Sequence, residues 1–460
     1  MVVWWLSIAC RPEPEVVDTA SPPAPPPTIL PTFDGPAPRN LVMLSVDTFR
    51  RDHVGRYGSP TGESLTPFLD ELMAESFVAD DAMACSNWTV ASTACVESGA
   101  DNLDRAPDRG MFPIVSSGVL APIPQEAMLP RFLYDQGGYS SLLATTNGYF
   151  SRSYGNAQGY QDVIYDGPAR AVSIWEKAKA QISPEAGGTP LTSPSFLHLH
   201  FFEPHRPYTP PLEYLEALES LPEIPFDLSD EEGQTAAINA MNGGGLSEEV
   251  SQAIIAHMKV RYQGEVRSLD DGLRQVWTEL DELGLLDDAL VVFWTDHGEE
   301  LWDHLLTEHG KLLFRTENDM TLFFWARNIV PGSYDGPVSG IDVTPTVLEL
   351  LGLERADTMT GLPIGTAPPD RVRYGLTDAY IGPALTVRKN QWKMQFRWGG
   401  QRVVVFDEVA DPLELEDKFD PTDPVTLELW ELMKPRIEAS IPYVEQDPRG
   451  WELVWPEDLP

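Results

Sequence analysis

The chain has 460 residues, of which 71 are acidic and 32 are basic, and its formal net charge is −39. This charge excludes a nucleic-acid-binding protein, because binding to a phosphate backbone needs a basic surface. Hydrophobic residues make up 42% of the chain, which excludes disorder throughout and suffices for one large α/β domain or a few smaller ones.

The N-terminal segment has the features of an export signal followed by a tether. Residues 2–9 form an apolar run that ends at Cys10, and the run is too short for a transmembrane helix, which needs about 20 residues. The proline-rich stretch that follows is typical of an extended chain. This order resembles a bacterial lipoprotein signal, whose cysteine is lipidated after cleavage. We therefore predict a signal over residues 1–10, lipidation at Cys10 and a tether over residues 11–38.

That prediction places the protein in the bacterial cell envelope, as a periplasmic or surface lipoprotein. A plain secretory signal, with a secreted product, or a disordered tail are the alternatives. Two further cysteines, Cys85 and Cys95, are expected to be either a disulfide in an oxidising compartment or two buried thiols, with the thiols slightly favoured. The sequence has no Cys-x-x-Cys pair or Cys/His cluster, so we expect no structural zinc site.

The folded part alternates strand-type and helix-type patterns. Three short apolar runs predict buried strands, and they lie at residues 41–46, 196–202 and 289–294. Apolar side chains at helical spacing predict a helix at 66–75 and a long helix at 247–283. Residues 215–246 are expected to form an irregular insert. The alternation predicts an α/β core.

The pattern changes after about residue 376. Residues 385–396 and 402–408 have the composition of strands in a smaller antiparallel unit, and a helix is expected near residues 425–433. We therefore predict a catalytic domain over residues 39–375 and a C-terminal subdomain over residues 376–460.

Ionisable residues follow two of the predicted strands. Asp47 follows the first strand, and Asp296 and His297 follow the strand at 289–294. Because open α/β sheets bind ligands beyond the carboxyl ends of their strands, we expect these side chains to meet. Each residue alone is also common in turns and caps. Two carboxylates and one imidazole together predict a divalent metal site.

Six segments, in order along the chain, resemble the sulfatase branch of the alkaline phosphatase superfamily. They are SVDTFRRDHVGRYG at 45–58, SNWTVASTACVESG at 86–99, LHFFEPHRPYTPP at 199–211, the run at 262–300, IDVTPTVLELLG at 341–352 and VVVFDEVADPLELEDKF at 403–419. The resemblance spans about residues 38–440. It implies an alkaline-phosphatase-like α/β fold, with a mixed, mostly parallel sheet flanked by helices and a smaller C-terminal antiparallel subdomain.

The resemblance also implies roles for individual residues. The implied residues are Asp47, Asp296, His297 and Thr89 for the metal, Thr89, His205, His309 and Lys311 for catalysis, and Arg50, His205 and Lys311 for substrate binding. Thr89 occupies the nucleophile position, where a metal would lower the pKa of its hydroxyl and a following helix would stabilise an anionic ester. We expect one divalent metal, either Ca, Mg, Mn or Zn, with His297 favouring Mn or Zn. His198 and His200 share one face of a strand and are expected to be packed, with His200 close enough to support His205.

The nucleophile segment departs from that of ordinary sulfatases. Those enzymes convert a Cys or Ser in a Cys/Ser-x-Pro-x-Arg motif into formylglycine, whereas residues 89–93 read Thr-Val-Ala-Ser-Thr. Thr cannot become formylglycine by that route, so none is expected.

Three interpretations stay open. The slightly favoured one makes Thr89 a covalent nucleophile, as in the superfamily's phosphodiesterases and phosphoethanolamine or phosphoglycerol transferases. The second is a sulfatase-like hydrolase that uses Thr89 differently or hydrolyses sulfate esters without formylglycine. The third is a non-catalytic relative that binds an anionic glycan or surface. The expected partner is an anionic ester on a glycan, a lipid head group or a small molecule, with membrane contact only through Cys10. Because the body is strongly acidic, capture should rest on a local cationic pocket formed by the metal, Arg50, His205, His309 and Lys311.

Overall fold

A computed structural model of the protein describes residues 30–101, 103, 127–398, 402–445, 449–451 and 453–459. The predicted signal, the lipidation site Cys10 and the tether up to residue 29 lie outside the described residues. Within the part of the chain that the structure describes, every helix is too short or too polar to cross a lipid bilayer.

A large mixed sheet forms the centre of the molecule, and it has eight strands within the described residues. In spatial order the strands are β10 (Gly332–Ser339), β2 (Phe77–Met83), β9 (Leu322–Trp325), β6 (Ala289–Thr295), β1 (Asn40–Val46), β5 (Ser195–Phe201), β3 (Ser140–Thr145) and β4 (Asp162–Tyr165). All neighbours run parallel except β9, which is antiparallel to both β2 and β6. The predicted mixed, mostly parallel sheet is confirmed.

The helices of the described residues are α1 (Pro67–Ala74), α2 (Thr89–Ser98), α3 (Leu129–Gly137), α4 (Ala171–Ile182), α5 (Glu231–Asn242), α6 (Glu248–Glu282), α7 (Arg315–Asn318), α8 (Val343–Leu350) and α9 (Pro424–Val444). Helices α1 to α6, together with α8, cover the two faces of the large sheet. Side chains of β1 alternate between two cores. Val42, Leu44 and Val46 pack with α1, α4 and α6, whereas Leu41 and Met43 pack with α2, α3 and α8.

The region expected to be an irregular insert contains a helix, so that expectation is wrong in part. Asp230 caps α5, since its carboxylate accepts a hydrogen bond from the Gly233 backbone N–H at 2.8 Å. The buried side chains of α5 are Gln234 and Ala237. This apolar pattern is too sparse to reveal the helix, whereas the long predicted helix is confirmed as α6.

The C-terminal region forms a second sheet, antiparallel throughout, as predicted. Its described strands, in spatial order, are β11 (Arg373–Thr377), β12 (Ala384–Lys389), β13 (Trp392–Arg397) and β14 (Arg402–Asp407). Helix α9 packs on this sheet through Trp430 and Met433, and it extends beyond the predicted residues 425–433. A short hairpin, β7 (Glu300–Leu301) and β8 (Thr307–Glu308), lies beyond β6. The domain boundaries themselves stay predictions.

Cys85 and Cys95 form a disulfide, and both cysteines are buried. Their Cα atoms lie 6.6 Å apart, because α2 starts a few residues after β2 and returns Cys95 toward the strand end. The slight preference for two free thiols is therefore wrong, although their burial is confirmed.

Candidate active site

The candidate site lies at the carboxyl ends of the central parallel strands. The Asp47 backbone N–H donates to the Phe201 carbonyl of β5 at 3.0 Å, and that of Asp296 donates to the Val46 carbonyl of β1 at 3.1 Å. The parallel pairing thus continues one residue beyond β1 and β6. This continuation sets the Asp47 and Asp296 side chains next to each other, as the sequence predicts.

The two carboxylates are fully buried and each uses one oxygen in hydrogen bonds. Asp47 Oδ2 accepts from the Asn147 amide, and Asp296 Oδ1 accepts from the backbone N–H groups of His297 at 2.7 Å and Thr48 at 3.2 Å. The remaining oxygens, Asp47 Oδ1 and Asp296 Oδ2, have no hydrogen-bond partner among the described residues, and the same holds for His200 Nε2. One ligand atom from each of these three side chains lies within 4.8 Å of the others.

His297 adds a second nitrogen to this group. Its Nδ1 lies 2.9 Å from the Gly298 carbonyl oxygen, which can only accept, so Nδ1 carries the proton and Nε2 keeps its lone pair. His297 Nε2 lies 3.7 Å from Asp47 Oδ1 and 3.6 Å from Asp296 Oδ2. The imidazole therefore points its lone pair at both unpartnered carboxylate oxygens.

The electrostatics of this group fit a bound cation. Burial raises the pKa of Asp47, and burial together with repulsion from Asp47 raises the pKa of Asp296 well above its usual range. Burial lowers the pKa of His297 and of His200 well below the ordinary value, so both imidazoles are neutral at pH 7. Neutral nitrogens and unmatched buried carboxylates are the donors that a divalent metal uses.

Thr89 lies beside the same group, at the start of α2. Its side chain is almost fully buried, and its Oγ1 lies 3.3 Å from Asn147 Nδ2 and 3.4 Å from His297 Nε2. Trp88 holds the cap position, so Thr89 is the first helical residue. The first backbone N–H groups of a helix have no intrahelical acceptor and carry a partial positive charge. An anionic ester next to Thr89 would be stabilised by them.

Two more predicted histidines lie next to His297. The ring centroid of His309 is 4.6 Å from that of His297 and 5.0 Å from that of His205. His309 Nδ1 lies 2.9 Å from Glu299 Oε1, and the other Glu299 oxygen accepts from the Tyr208 hydroxyl at 2.9 Å. Burial alone would lower the pKa of His309, but the Glu299 carboxylate raises it above the ordinary value. His309 can therefore hold a proton near neutral pH.

His205 is oriented by its neighbours. Its Nδ1 lies 2.5 Å from the Arg206 carbonyl oxygen, and its ring lies 4.3 Å from that of Phe202. The Nδ1 proton is thus committed to a carbonyl acceptor, and Nε2 is the nitrogen available to a ligand.

The two predicted cationic side chains have protein partners. The Arg50 guanidinium pairs with Asp52 at 2.6 Å and also with Asp303, and its side chain is 4% exposed. The Arg50 guanidinium is thus engaged by two carboxylates of the protein, and its role in substrate binding stays a prediction. The Lys311 ammonium donates to the Thr307 carbonyl oxygen and lies 3.8 Å from a Glu308 carboxylate oxygen.

Three residues of the candidate site are not among those predicted from the sequence. Asn147 follows β3 as Asp47 follows β1, but β3 was not among the predicted strands. Glu299 lies within the segment that carries Asp296 and His297, yet nothing in its position indicates that it binds His309. His200 was expected to be packed, because a histidine within a strand gives no signal of an unpartnered nitrogen.

Known proteins resemble this chain in sequence over part of its length. A family model described as Sulfatase matches residues 39–353. The chain is 31% identical over 181 residues to the multifunctional alkaline phosphatase superfamily protein PehA of Trinickia caryophylli, which covers 35% of each protein. It is 26% identical over 262 residues to the choline-sulfatase of Rhizobium meliloti (strain 1021), which covers 52% of this chain and 50% of that enzyme. The alignments thus span half or less of these curated relatives.

A solved structure supports the fold over nearly the whole chain. The phosphonate monoester hydrolase SpPMH from Silicibacter pomeroyi superposes with a TM-score of 0.65 at 17% identity. The superposition covers 91% of this chain and 99% of that structure. At this identity the likeness concerns the fold.

Proposed function

The chain belongs to the sulfatase family, and on this basis we propose that it is a metal-dependent hydrolase or transferase of sulfate or phosphate esters with Thr89 as its nucleophile. The observation that carries the proposal is the position of the Thr89 hydroxyl, 3.4 Å from His297 Nε2 and at the start of a helix. Phosphorus esters are slightly favoured, because a threonine can form a phosphate ester without being converted to formylglycine.

In this proposal Asp47, Asp296 and His297 hold one divalent metal, with Thr89 beside it. The metal would lower the pKa of the Thr89 hydroxyl and neutralise charge on the ester oxygens. Asn147 orients a metal ligand and the nucleophile together. Its amide donates to the Asp47 carboxylate and, at 3.3 Å, to the Thr89 oxygen. The helix start of α2 holds the anionic group against Thr89.

The chain's own residues account for the bonds that form and break. The Thr89 hydroxyl releases its proton to solvent, its oxygen bonds to phosphorus, and the bond from phosphorus to the leaving oxygen breaks. His309, kept protonated by Glu299, donates a proton to the leaving oxygen. Water or an acceptor hydroxyl then attacks phosphorus and gives its proton to His309, and the bond from phosphorus to the Thr89 oxygen breaks. The Thr89 oxygen takes up a proton from solvent, which restores the hydroxyl. His205 is oriented to contact a nonbridging or leaving oxygen.

Capture of the substrate rests on a smaller set of cations than the sequence suggests. Arg50 is paired with two carboxylates, so the metal, the helix start and His309 supply most of the positive charge. The Cys10 anchor and the envelope location remain part of the proposal, as do a glycan, a lipid head group or a small molecule as the carrier of the ester.

The test is a panel of nitrophenyl substrates, comprising a sulfate, a phosphate monoester, a phosphodiester and a phosphonate, each assayed with Mn, Zn, Ca or Mg. Thr89→Ala should lower turnover about 1000-fold or more, because it removes the attacking oxygen. Ser98→Ala is the matched control, since Ser98 is a buried hydroxyl in the same helix that donates to the Ala94 carbonyl at 2.7 Å. Intact mass after rapid quenching should show a phosphate-sized adduct on Thr89.

Two outcomes contradict the proposal. Unchanged turnover in Thr89→Ala would remove Thr89 as the nucleophile. Absence of turnover on every substrate, with metal bound, would favour the non-catalytic interpretation.

A further inference from the structure

A buried chain of hydrogen bonds leads from helix α2 to the metal-site edge of the sheet. The Tyr160 hydroxyl donates to Glu97 Oε1 at 2.8 Å, and His198 Nδ1 lies 2.7 Å from the Tyr160 oxygen and 3.1 Å from Glu97 Oε1. Ser45 Oγ lies 2.8 Å from His198 Nε2 and 2.7 Å from His200 Nδ1. We call these five residues the Glu97–His200 relay, and all of them are buried.

The acceptors at the far end decide where each proton in the relay lies. Because the Tyr160 proton goes to Glu97, both the Tyr160 oxygen and Glu97 Oε1 face His198 Nδ1 as acceptors, so Nδ1 carries the proton. In the tautomer with its proton on Nδ1, His198 has a lone pair on Nε2, which accepts the Ser45 hydroxyl proton. The Ser45 oxygen in turn accepts from His200 Nδ1.

Because His200 Nδ1 donates its proton to Ser45, His200 Nε2 keeps a lone pair. That nitrogen is buried, lacks a hydrogen-bond partner in the described part of the chain, and belongs to the group of candidate metal ligands with Asp47 and Asp296. A buried imidazole nitrogen without a hydrogen-bond partner is unfavourable. A bound cation removes that penalty.

We propose that the Glu97–His200 relay makes His200 a nitrogen ligand of the metal, with Ser45 and His198 as positioning residues. The inference rests on the metal site of the proposed function and adds a ligand to it. Together with His297, it provides two imidazole nitrogens alongside two carboxylates. Such a donor set favours zinc or manganese over calcium or magnesium, which prefer all-oxygen sites.

The first test measures metal binding by the full-length protein, without substrate. Metal-free protein is titrated with Zn²⁺ and separately with Mg²⁺ by calorimetry. Ser45→Ala should weaken Zn²⁺ binding about 10- to 100-fold, as expected when the partner of a ligating histidine is lost. Mg²⁺ binding should change much less. Ser76→Ala is the control, since Ser76 is a buried serine whose hydroxyl donates only to the Leu72 carbonyl, at 2.7 Å, among the described residues.

The second test observes the ligands directly in the Co²⁺-substituted protein. Proton NMR should show two exchangeable, strongly shifted imidazole N–H signals, one from His200 and one from His297, whose Nδ1 protons face Ser45 and Gly298. His200→Gln should remove one signal. Tyr160→Phe, which keeps the ring and leaves Glu97 as the acceptor for His198, should speed solvent exchange of the His200 signal without unfolding the protein.

The outcomes separate this inference from the proposed function. A single shifted signal in the wild type, or equal zinc affinities for Ser45→Ala and Ser76→Ala, would overturn the relay even if Thr89-dependent turnover is found. Two signals together with selective loss of zinc affinity would support it even if no ester is hydrolysed.

Discussion

Two buried clusters of charged groups in this protein are built in opposite ways. At the strand ends, Asp47 and Asp296 each leave one oxygen unpartnered within the described ranges. Beneath the C-terminal sheet, Asp319 pairs with Arg315 at 2.8 Å and Arg388 at 2.9 Å, and Arg388 also pairs with Glu408. We call this second group the interface cluster, because it joins α7 to strands β12 and β14.

The pKa values of the aspartates show what this difference means. Burial would raise the pKa of Asp319, but Arg315 and Arg388 lower it far below its ordinary value. Burial and a second carboxylate raise the pKa of Asp296 instead. Buried acids that the chain matches with arginines hold the structure together, whereas buried acids left unmatched indicate a place for a cation from solution.

The largest effect on stability is expected from breaking the interface cluster. Arg388→Met should lower the free energy of unfolding by about 3–5 kcal/mol, because Asp319 and Glu408 would lose a buried partner. Urea denaturation measures the change. The control is Arg327→Met, which removes a half-exposed arginine that pairs with Asp281 and Asp287, and it should cost at most about 1 kcal/mol. Equal losses in both variants would refute the distinction between the clusters.

A bound metal should neutralise the buried carboxylates at the strand ends, as the arginines do in the interface cluster. Saturating the protein with metal at 100 to 1000 times Kd should raise the free energy of unfolding by about 2.7–4.1 kcal/mol over the chelated form. Thermal denaturation with and without chelator measures this shift. Asp47→Asn should abolish most of it, and a full shift in that variant would contradict the assignment of Asp47 as a ligand.

Removing one carboxylate charge should change the free energy of unfolding in opposite directions in the two clusters. In metal-free protein, Asp296→Asn should raise the free energy of unfolding by about 1–2 kcal/mol, because it removes a carboxyl group whose charged form is opposed by burial and by repulsion from Asp47. Asp319→Asn should lower it, because the arginines that pair with Asp319 would lose its negative charge. Denaturant titrations of both variants in chelator provide the measurement. A loss of stability in both would show that Asp296 is not an unmatched charge.

The contribution of Asp319 should also fade in acid. Its folded-state pKa lies below the ordinary value of 3.8, so the stability it adds is fully present above that value. As the pH falls below about 4, the unfolded chain takes up a proton at Asp319 that the folded protein does not, so the contribution declines. The stability difference between wild type and Asp319→Asn, measured from pH 3 to pH 7, should therefore shrink only at the acid end. A constant difference would contradict the ion-pair assignment.

The fold could be predicted where the apolar pattern is dense. The strand at 41–46 and the long helix at 247–283 were found because their buried faces repeat at strand and helix periods. Helix α5 was missed, since Gln234 and Ala237 are its buried side chains and a cap at Asp230 does not by itself identify a helix. The bonding of Cys85 to Cys95 depends on how α2 folds back on β2, which spacing alone does not reveal.

The candidate metal ligands can be recognised in the sequence alone. Polar residues at the ends of apolar strands identify Asp47, Asp296 and His297, because the ends of parallel strands converge whatever the loops between them do. The family resemblance adds Thr89 and the histidines at 205 and 309. These residues can be recognised because each has a fixed place in the sequence, either directly after an apolar strand or within a family motif.

Which of these groups already have a partner in the folded protein becomes visible in three dimensions. Arg50 and the acid pair both look functional in the sequence, yet Arg50 pairs with Asp52, two residues away, and with Asp303, far along the chain. His200 looks structural, yet the Glu97–His200 relay leaves its Nε2 unpartnered in the described residues. Hydrogen bonds and ion pairs act over a few ångströms in space between residues that are hundreds apart in sequence. The balance of charge at each buried group therefore exists only once the chain has folded.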